Sequence, residues 1–313
     1  MTIDYDPPVD AASTRLAVLG SPIAHSKSPL LHAAAYRLLG LDWAYGRDEV
    51  RPEEFDAFMR GRGAGWRGFS VTAPLKPEAL AFGATASSTA RATGAANTVV
   101  FRSADADAVA DVHNTDVAGF AAALRERGVD AVGSVELFGA GSTAASALAA
   151  CAGMGARRVR IVARAPERAR ATAELAERLG LAASVVALDS WTSASVASDI
   201  DLVVNTVPGG VSLPGPVGAD VIERAALFDV VYAPWPTGLA TAWLAGSPIG
   251  EDGVADADAS ASTIGGPVVC SGLDLLVHQA VVQVRLFTGR REDEPLPDEG
   301  AILSAMRAAA TGG

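Results

Sequence analysis

Short apolar runs alternate along this chain with segments whose apolar residues recur at helical spacing. Arg15–Gly20 reads as a buried strand that ends in Gly20-Ser21-Pro22. The helix expected next, about Ser28–Leu39, carries Leu30, Leu31, Ala34, Ala35 and Leu38 on one side. Trp43–Val50 reads as a second strand, and Pro52–Arg60 as a second helix with proline at its start. Gly68–Thr72 is a third strand, running into Ala73-Pro74-Leu75-Lys76. A helix through Ser87–Ala92 and a strand at Asn97–Phe101 complete this unit. Strands alternating with helices predict an α/β fold whose largely parallel sheet is covered on both faces.

The second half repeats the alternation. His113-Asn114-Thr115-Asp116 opens a helix over Val117–Arg127, with Thr115 or Asp116 as its candidate N-cap, and the chain crosses there into a second domain. Val135–Phe138 is a strand, and Gly139-Ala140-Gly141-Ser142-Thr143-Ala144 a glycine turn and helix start. That order is similar to the dinucleotide-binding fingerprint, with Ala144 in its last glycine-or-alanine place. Arg158–Val162 and the amphipathic helix Pro166–Leu179 follow, then strands at Ser184–Leu188, Asp201–Thr206 and Leu227–Tyr232. Gly246–Gly266, rich in Gly, Ala, Ser and Asp, reads as a flexible surface insertion. Pro267–Cys270 is a last strand, and Gly272–Phe287 a helix with Leu273, Leu276, Val277, Ala280, Val281 and Val284 on its apolar side. A final helix, Glu299–Ala310, is expected to pack back on the first domain. The expected division is 1–115, 116–267 and a C-terminal helical segment, 268–313.

The 313 residues suit two domains, and with 50% hydrophobic but only 6% aromatic residues their cores must be built from Ala, Val and Leu. A net charge of −11 argues against nucleic-acid and anionic-membrane partners. An anionic ligand must then be held by local arginines, hydroxyls or backbone amides. Cys151 and Cys270 are far apart without metal or redox spacing, and the four histidines form no ligand cluster, so reduced cysteines and no metal are expected. Thr2–Ser13 is acidic and lacks the features of a signal peptide, and no apolar run approaches the ~20 residues of a membrane span. A cytoplasmic protein is expected.

Candidate chemistry begins with a scarcity. The 25 basic residues include only two lysines, Lys27 and Lys76, both in short Ser/Thr/Pro segments. An ammonium can give up a proton, which a guanidinium in practice cannot. Pro74 and Pro77 fit a helix only in its first turn, which puts Lys76 at the positive end of a helix dipole. A lysine retained in so poor a place points to catalysis rather than solvation.

Several segments together resemble the shikimate dehydrogenases. They are Gly20–Pro29, Ser70–Lys76, Ala96-Asn97-Thr98, Asn114-Thr115-Asp116 and Ser271-Gly272-Leu273 through Gln279, in the family's order. Val231–Thr237 and the C-terminal helix look most like the actinobacterial branch. The resemblance implies an N-terminal substrate domain, a Rossmann-type NADP domain, and reversible reduction of 3-dehydroshikimate to shikimate by NADPH in chorismate and aromatic amino-acid biosynthesis. It implies Lys76 and Asp116 as the catalytic pair, with Ser26, Ser28 and Tyr232 at the ring carboxylate and Thr72, Asn97 and Gln279 at the ring hydroxyls. Gly139, Gly141, Ser142, Thr143, Arg164, Arg168 and Gly272 would border the cofactor. After the second strand of this domain an NAD site would carry an acid, whereas Val162-Ala163-Arg164-Ala165-Pro166-Glu167-Arg168 offers two arginines that suit a 2′-phosphate. Substrate and cofactor would lie on different domains, so hydride transfer needs the cleft between them to close.

Plainer readings stand beside these. Ser26 and Ser28 could cap a helix, Asp116 could be a simple N-cap, Asn97 a turn residue, Gln279 a solvated helix position, and Arg164 with Arg168 a solvated pair. Ser70 stands where the family commonly has asparagine, Ser142 replaces a glycine, Ala145 an arginine, and Val112 and Val117 glycines around the Asn-Thr-Asp motif. These departures leave quinate and aminoshikimate open as substrates. A non-catalytic dinucleotide-binding regulator of the same fold is the alternative of another class, and a methyltransferase built on the glycine turn fits poorly with the arginine pair. Small-molecule partners and a monomer or homodimer are expected.

Overall fold

The computed structural model describes residues 14–209, 211–245 and 267–312. The N-terminal stretch Thr2–Ser13 and the expected insertion Gly246–Gly266 lie outside the described residues. The chain forms two compact units, the first running to Gly119 and resuming at Leu276, the second spanning Phe120–Leu275. The units thus divide inside two continuous helices, rather than at 115/116 and 267/268.

The first unit contains β1 (Thr14–Gly20), α1 (Ser28–Leu38), β2 (Trp43–Glu49), α2 (Pro52–Gly61), β3 (Trp66–Val71), α3 (Lys76–Phe82), β4 (Thr85–Ala86), α4 (Ser88–Thr93), β5 (Thr98–Phe101), β6 (Ala110–His113) and the start of α5 (Thr115–Glu126). Its sheet runs β2-β1-β3-β5-β6-β4. Only β5 is antiparallel to its neighbours. β4 and β6 have no counterpart in the sequence reading. β6 shows buried Ala110 and Val112 in alternation, but it is only 4 residues long and follows the exposed stretch Ser103–Asp107, too little for a period-2 signal. One core packs Leu19, Phe69 and Phe101 of the strands with Phe55 and Met59 of α2.

The second unit holds β7 (Ser134–Phe138), α6 (Ser142–Gly153), β8 (Arg158–Ala163), α7 (Arg170–Arg178), β9 (Ala182–Ala187), β10 (Leu202–Asn205), α8 (Ala219–Arg224), β11 (Ala226–Asp229), α9 (Gly238–Ala245) and β12 (Val269–Ser271). Every pairing in β12-β11-β10-β7-β8-β9 is parallel, as expected of a doubly wound Rossmann-type sheet. The strand order reverses at β7, which lies between β8 and β10. The expected helix Pro166–Leu179 is a 3₁₀ turn, Pro166–Ala169, followed by α7, and β11 ends at Asp229 rather than Tyr232. α8 and α9 were not anticipated.

α10 (Gly272–Phe287) and α11 (Glu299–Thr311) complete the chain, and α11 packs on α1. α10 is buried on more than one side: Leu275, Val282 and Leu286 are in the core, while Leu273 and Leu276 are only half-buried. A helix covered nearly all round has no single apolar stripe to read.

Candidate active site

The catalytic candidates of the first unit gather where its strand ends and loops meet. β1 ends at Gly20, β3 at Val71 and β6 at His113, while the antiparallel β5 starts at Thr98. Backbone bonds stitch these ends together: Val71 N–H donates to the Asn97 carbonyl at 2.7 Å, Asn97 N–H to His113 at 3.0 Å, and Thr72 N–H to Leu19 at 2.9 Å. Gly20 makes the close approach possible, because a Cβ there would sit 2.4 Å from Cγ2 of Thr72.

Lys76 opens α3 and is only 9% exposed. Its Nζ donates to Oδ2 of Asp116 at 2.5 Å. Asp116 lies in the first turn of α5, but it is not the cap. Asn114 is, its Oδ1 accepting the Asp116 N–H at 3.2 Å. Asp116 is thereby released to face Lys76, while its Oδ1 accepts from Nδ2 of Asn97 at 2.8 Å. Asn97 is no simple turn residue. Its amide also donates to Thr115 and Gln279, and its Oδ1 accepts from the Thr115 N–H at 2.9 Å and the Thr98 hydroxyl at 2.8 Å. Gln279 is buried, not solvated, and Nε2 donates to the Leu276 carbonyl at 2.8 Å. Gly119 of α5 permits this packing, since a Cβ there would meet the Gln279 backbone at 2.7–2.8 Å.

Behind the pair runs a buried polar chain that the sequence reading missed. Gln283 donates both amide hydrogens, to the Asn97 carbonyl and the Thr98 hydroxyl, each at 3.0 Å. Its Oε1 therefore accepts, from Ser70 at 2.7 Å and His32 Nε2 at 3.3 Å. Nε2 of His32 must carry the hydrogen, which leaves Nδ1 to accept from the Tyr36 hydroxyl at 3.0 Å. Tyr45 donates to Ser70 at 2.5 Å. Two glutamines four apart on α10, Gln279 and Gln283, were the available signal.

Burial lowers the His32 pKa from 6.5 to about 3. The folded state thus binds fewer protons than the unfolded chain between those values, so stability present above pH 6.5 is lost as pH falls toward 3. His32→Gln should flatten that part of a Tm-versus-pH curve. An identical curve would remove His32 from the acid response.

Ser28 begins α1 and Ser26 precedes it, and neither caps from the N-cap position, which Lys27 occupies. Ser26 Oγ instead accepts the Ser28 N–H at 3.3 Å. Ser26 and Thr72 are half-buried and Ser28 is buried. Tyr232 belongs to the second unit, in the segment after β11, and burial raises its phenol pKa, which keeps it a donor. Asp229 holds that segment at both ends, accepting from the Val231 N–H at 3.1 Å and the Thr237 hydroxyl at 2.6 Å.

In the second unit the glycine turn sits at the strand-order reversal. Gly139 has φ of +105°, and a Cβ would stand 2.3 Å from Oγ1 of Thr206, the residue after β10. Gly141 is the N-cap of α6 with no side-chain cap, so the first N–H groups of Ser142 and Thr143 face outward for an anion. Gly272 has a packing role, since a Cβ would lie 1.9 Å from the Val230 carbonyl oxygen. Of the arginines from β8 to the start of α7, Arg158 pairs with Asp199, Arg160 with Glu136 and Arg170 with Glu174. Arg164 and Arg168 are exposed and make no ion pair among the described residues. They do not share a helix face, because Arg164 precedes the 3₁₀ turn. Among the described residues no group of His, Cys, Asp and Glu could hold a metal ion, and no helix is long and apolar enough to cross a membrane.

A buried lysine–carboxylate pair in one α/β unit and a dinucleotide-type turn in another define a class: two-unit, nicotinamide-type oxidoreductases. The family follows from comparison. Residues 18–99 match the shikimate dehydrogenase substrate-binding domain. A shikimate dehydrogenase (NADP(+)) of Geobacter sp. (strain M21) is 35% identical over 299 residues, 93% of each chain. The crystal structure of Mycobacterium tuberculosis shikimate dehydrogenase superposes with a TM-score of 0.72 at 34% identity, covering 94% of this chain and 99% of that one. The Thermus thermophilus enzyme in complex with NADP(H) and shikimate gives 0.70 at 30% identity, covering 95% and 99%. The chain belongs to the shikimate dehydrogenase family.

Proposed function

We propose that this protein is an NADP-dependent oxidoreductase that reversibly reduces 3-dehydroshikimate to shikimate, a step toward chorismate and the aromatic amino acids. The observation that carries the chemistry is the buried 2.5 Å contact between Lys76 and Asp116. NADPH supplies the hydride when bound; Gly139, Gly141 and the N–H groups of Ser142 and Thr143 suit its pyrophosphate, and Arg164 and Arg168 its 2′-phosphate. Gly272, packed against the Val230 carbonyl in the same unit, would border the cofactor.

The residues of the first unit then divide the work. Negative charge grows on the carbonyl oxygen as its carbon is reduced; Lys76 stabilises that oxygen and delivers a proton to it. In the reverse direction Lys76 accepts the hydroxyl proton. Asp116, held by Asn97 and the α5 backbone, orients the ammonium. Thr72, Asn97 and Gln279 would contact ring hydroxyls. Ser26, Ser28 and Tyr232 would bind the ring carboxylate through neutral donors, adding no buried charge. The same reading takes the protein to be cytoplasmic, a monomer or homodimer acting on small molecules.

The deciding assay is NADPH oxidation on adding 3-dehydroshikimate. Turnover of quinate with NAD and none of 3-dehydroshikimate would replace the reading with a quinate dehydrogenase; no turnover of any cyclohexene acid would favour a dinucleotide-binding regulator. Ser28→Ala should raise KM for shikimate roughly tenfold with kcat little changed, the size of one charge-assisted hydrogen bond. An unmoved KM would take Ser28 out of the carboxylate site.

A further inference from the structure

The other lysine has no part in this chemistry, yet it has a defined partner. Nζ of Lys27 donates to the backbone carbonyl of Ala310 at 2.6 Å. Ala310 lies in the last turn of α11 and is fully buried. The last carbonyls of a helix lack partners within it and carry the negative end of its dipole, so an ammonium is well matched there. A single carbonyl needs a point donor rather than a fork, which suits lysine.

The segment around Lys27 has few other anchors. From Ser21 to Lys27 only Ile23 is buried, while Pro22, Ala24 and His25 are exposed. On the sheet, Ser21 donates to Glu49 at 3.0 Å and the Arg47 guanidinium donates to the Ala24 carbonyl. Within the turn, the Ser26 N–H donates to Ile23 at 2.9 Å, and the Lys27 carbonyl accepts the Leu30 and Leu31 N–H groups. Lys27 supplies the tie to α11, and it sits directly between Ser26 and Ser28.

We infer that Lys27 is a positioning residue: by gripping the C-terminus of α11 it fixes the two flanking serine hydroxyls for the substrate carboxylate. This rests on the reading that Ser26 and Ser28 hold that carboxylate. α11 is then a strut for the substrate site, although it contributes no ligand of its own.

The test uses the full enzyme with shikimate and NADP⁺. Lys27→Met keeps the apolar stem and removes the charge. KM for shikimate should rise about tenfold, the scale of a charge-assisted hydrogen bond, with kcat and KM for NADP⁺ unmoved. Lys27→Arg should restore KM to within a few-fold. A chain ended at Arg307 lacks the acceptor; it should show the same rise, and adding Lys27→Met to it should bring no further change. A lowered Tm with unchanged KM would make Lys27 a tie for stability only and overturn the inference, as would additive effects of the two changes. If Ser28→Ala raises KM and Lys27→Met does not, positioning fails while the carboxylate site stands. If neither Ser26→Ala nor Ser28→Ala moves KM, the carboxylate reading has failed and this inference falls with it.

Discussion

Lys76→Ala is expected to lower kcat by ~10²–10⁴-fold, the usual worth of a positioned general acid, while NADP(H) still binds. The geometry gives the reason. Lys76 is fixed at the head of α3 and its ammonium touches one oxygen of Asp116, whose other oxygen is held by Asn97. A water molecule entering the space left by the side chain could donate a proton, but neither its position nor its charge would be set in advance. The variant also strands a buried carboxylate, so some loss of Tm accompanies the loss of rate. Cofactor affinity, which we assign to the glycine turn of the other unit, separates the two effects: it should survive. Asp116→Asn keeps the shape and should lose less, with an altered pH profile of kcat. Turnover of Lys76→Ala within a few-fold of the parent enzyme would remove Lys76 from the mechanism. An unaltered profile in Asp116→Asn would reduce Asp116 to its favourable place in the first turn of α5.

What could be read in advance depended on how locally each feature is encoded. β1, α1, α2 and the glycine turn before α6 are specified by short-range pattern, and their ends fall within a residue or two of expectation. Lys76 was visible through composition, because arginine fills nearly every other basic position. Asn114 as the cap of α5 was less visible, since Asn114, Thr115 and Asp116 are all good caps and only the tertiary partner of Asp116 decides among them. Of the chain through Tyr45, Ser70, Gln283 and Thr98 only the Gln279/Gln283 spacing on α10 was local, for the chain joins residues from four separate elements. Ser70 illustrates the point. As a departure from the family's asparagine it looked like a question about substrate, whereas its hydroxyl links Tyr45 to Gln283 inside the core.

The enzyme should use NADPH far better than NADH, and the margin should reside mainly in Arg164. A 2′-phosphate brings about two negative charges to a protein whose net charge is already −11, so only local cations can make the contact favourable. The nearby arginines Arg158, Arg160 and Arg170 are engaged by carboxylates, whereas Arg164 and Arg168 have no carboxylate partner among the described residues. Arg164 directly follows β8, the strand end beside which the adenosine ribose lies in this fold. Arg168 sits farther along the chain, within the 3₁₀ turn. A guanidinium–phosphate contact is worth ~1.5–3 kcal/mol when shielded, and both arginines are exposed, so solvent screening brings the estimate to its lower end. Arg164→Ala should therefore raise KM for NADPH roughly tenfold, with NADH kinetics almost unchanged. Arg168→Ala should show a smaller effect of the same kind, and both should weaken at high salt. A parent enzyme that turns over NADH and NADPH equally well would sink this assignment. Loss of affinity for both cofactors alike in Arg164→Ala would instead mean that Arg164 serves the pyrophosphate or the fold, and that the 2′-phosphate is read elsewhere.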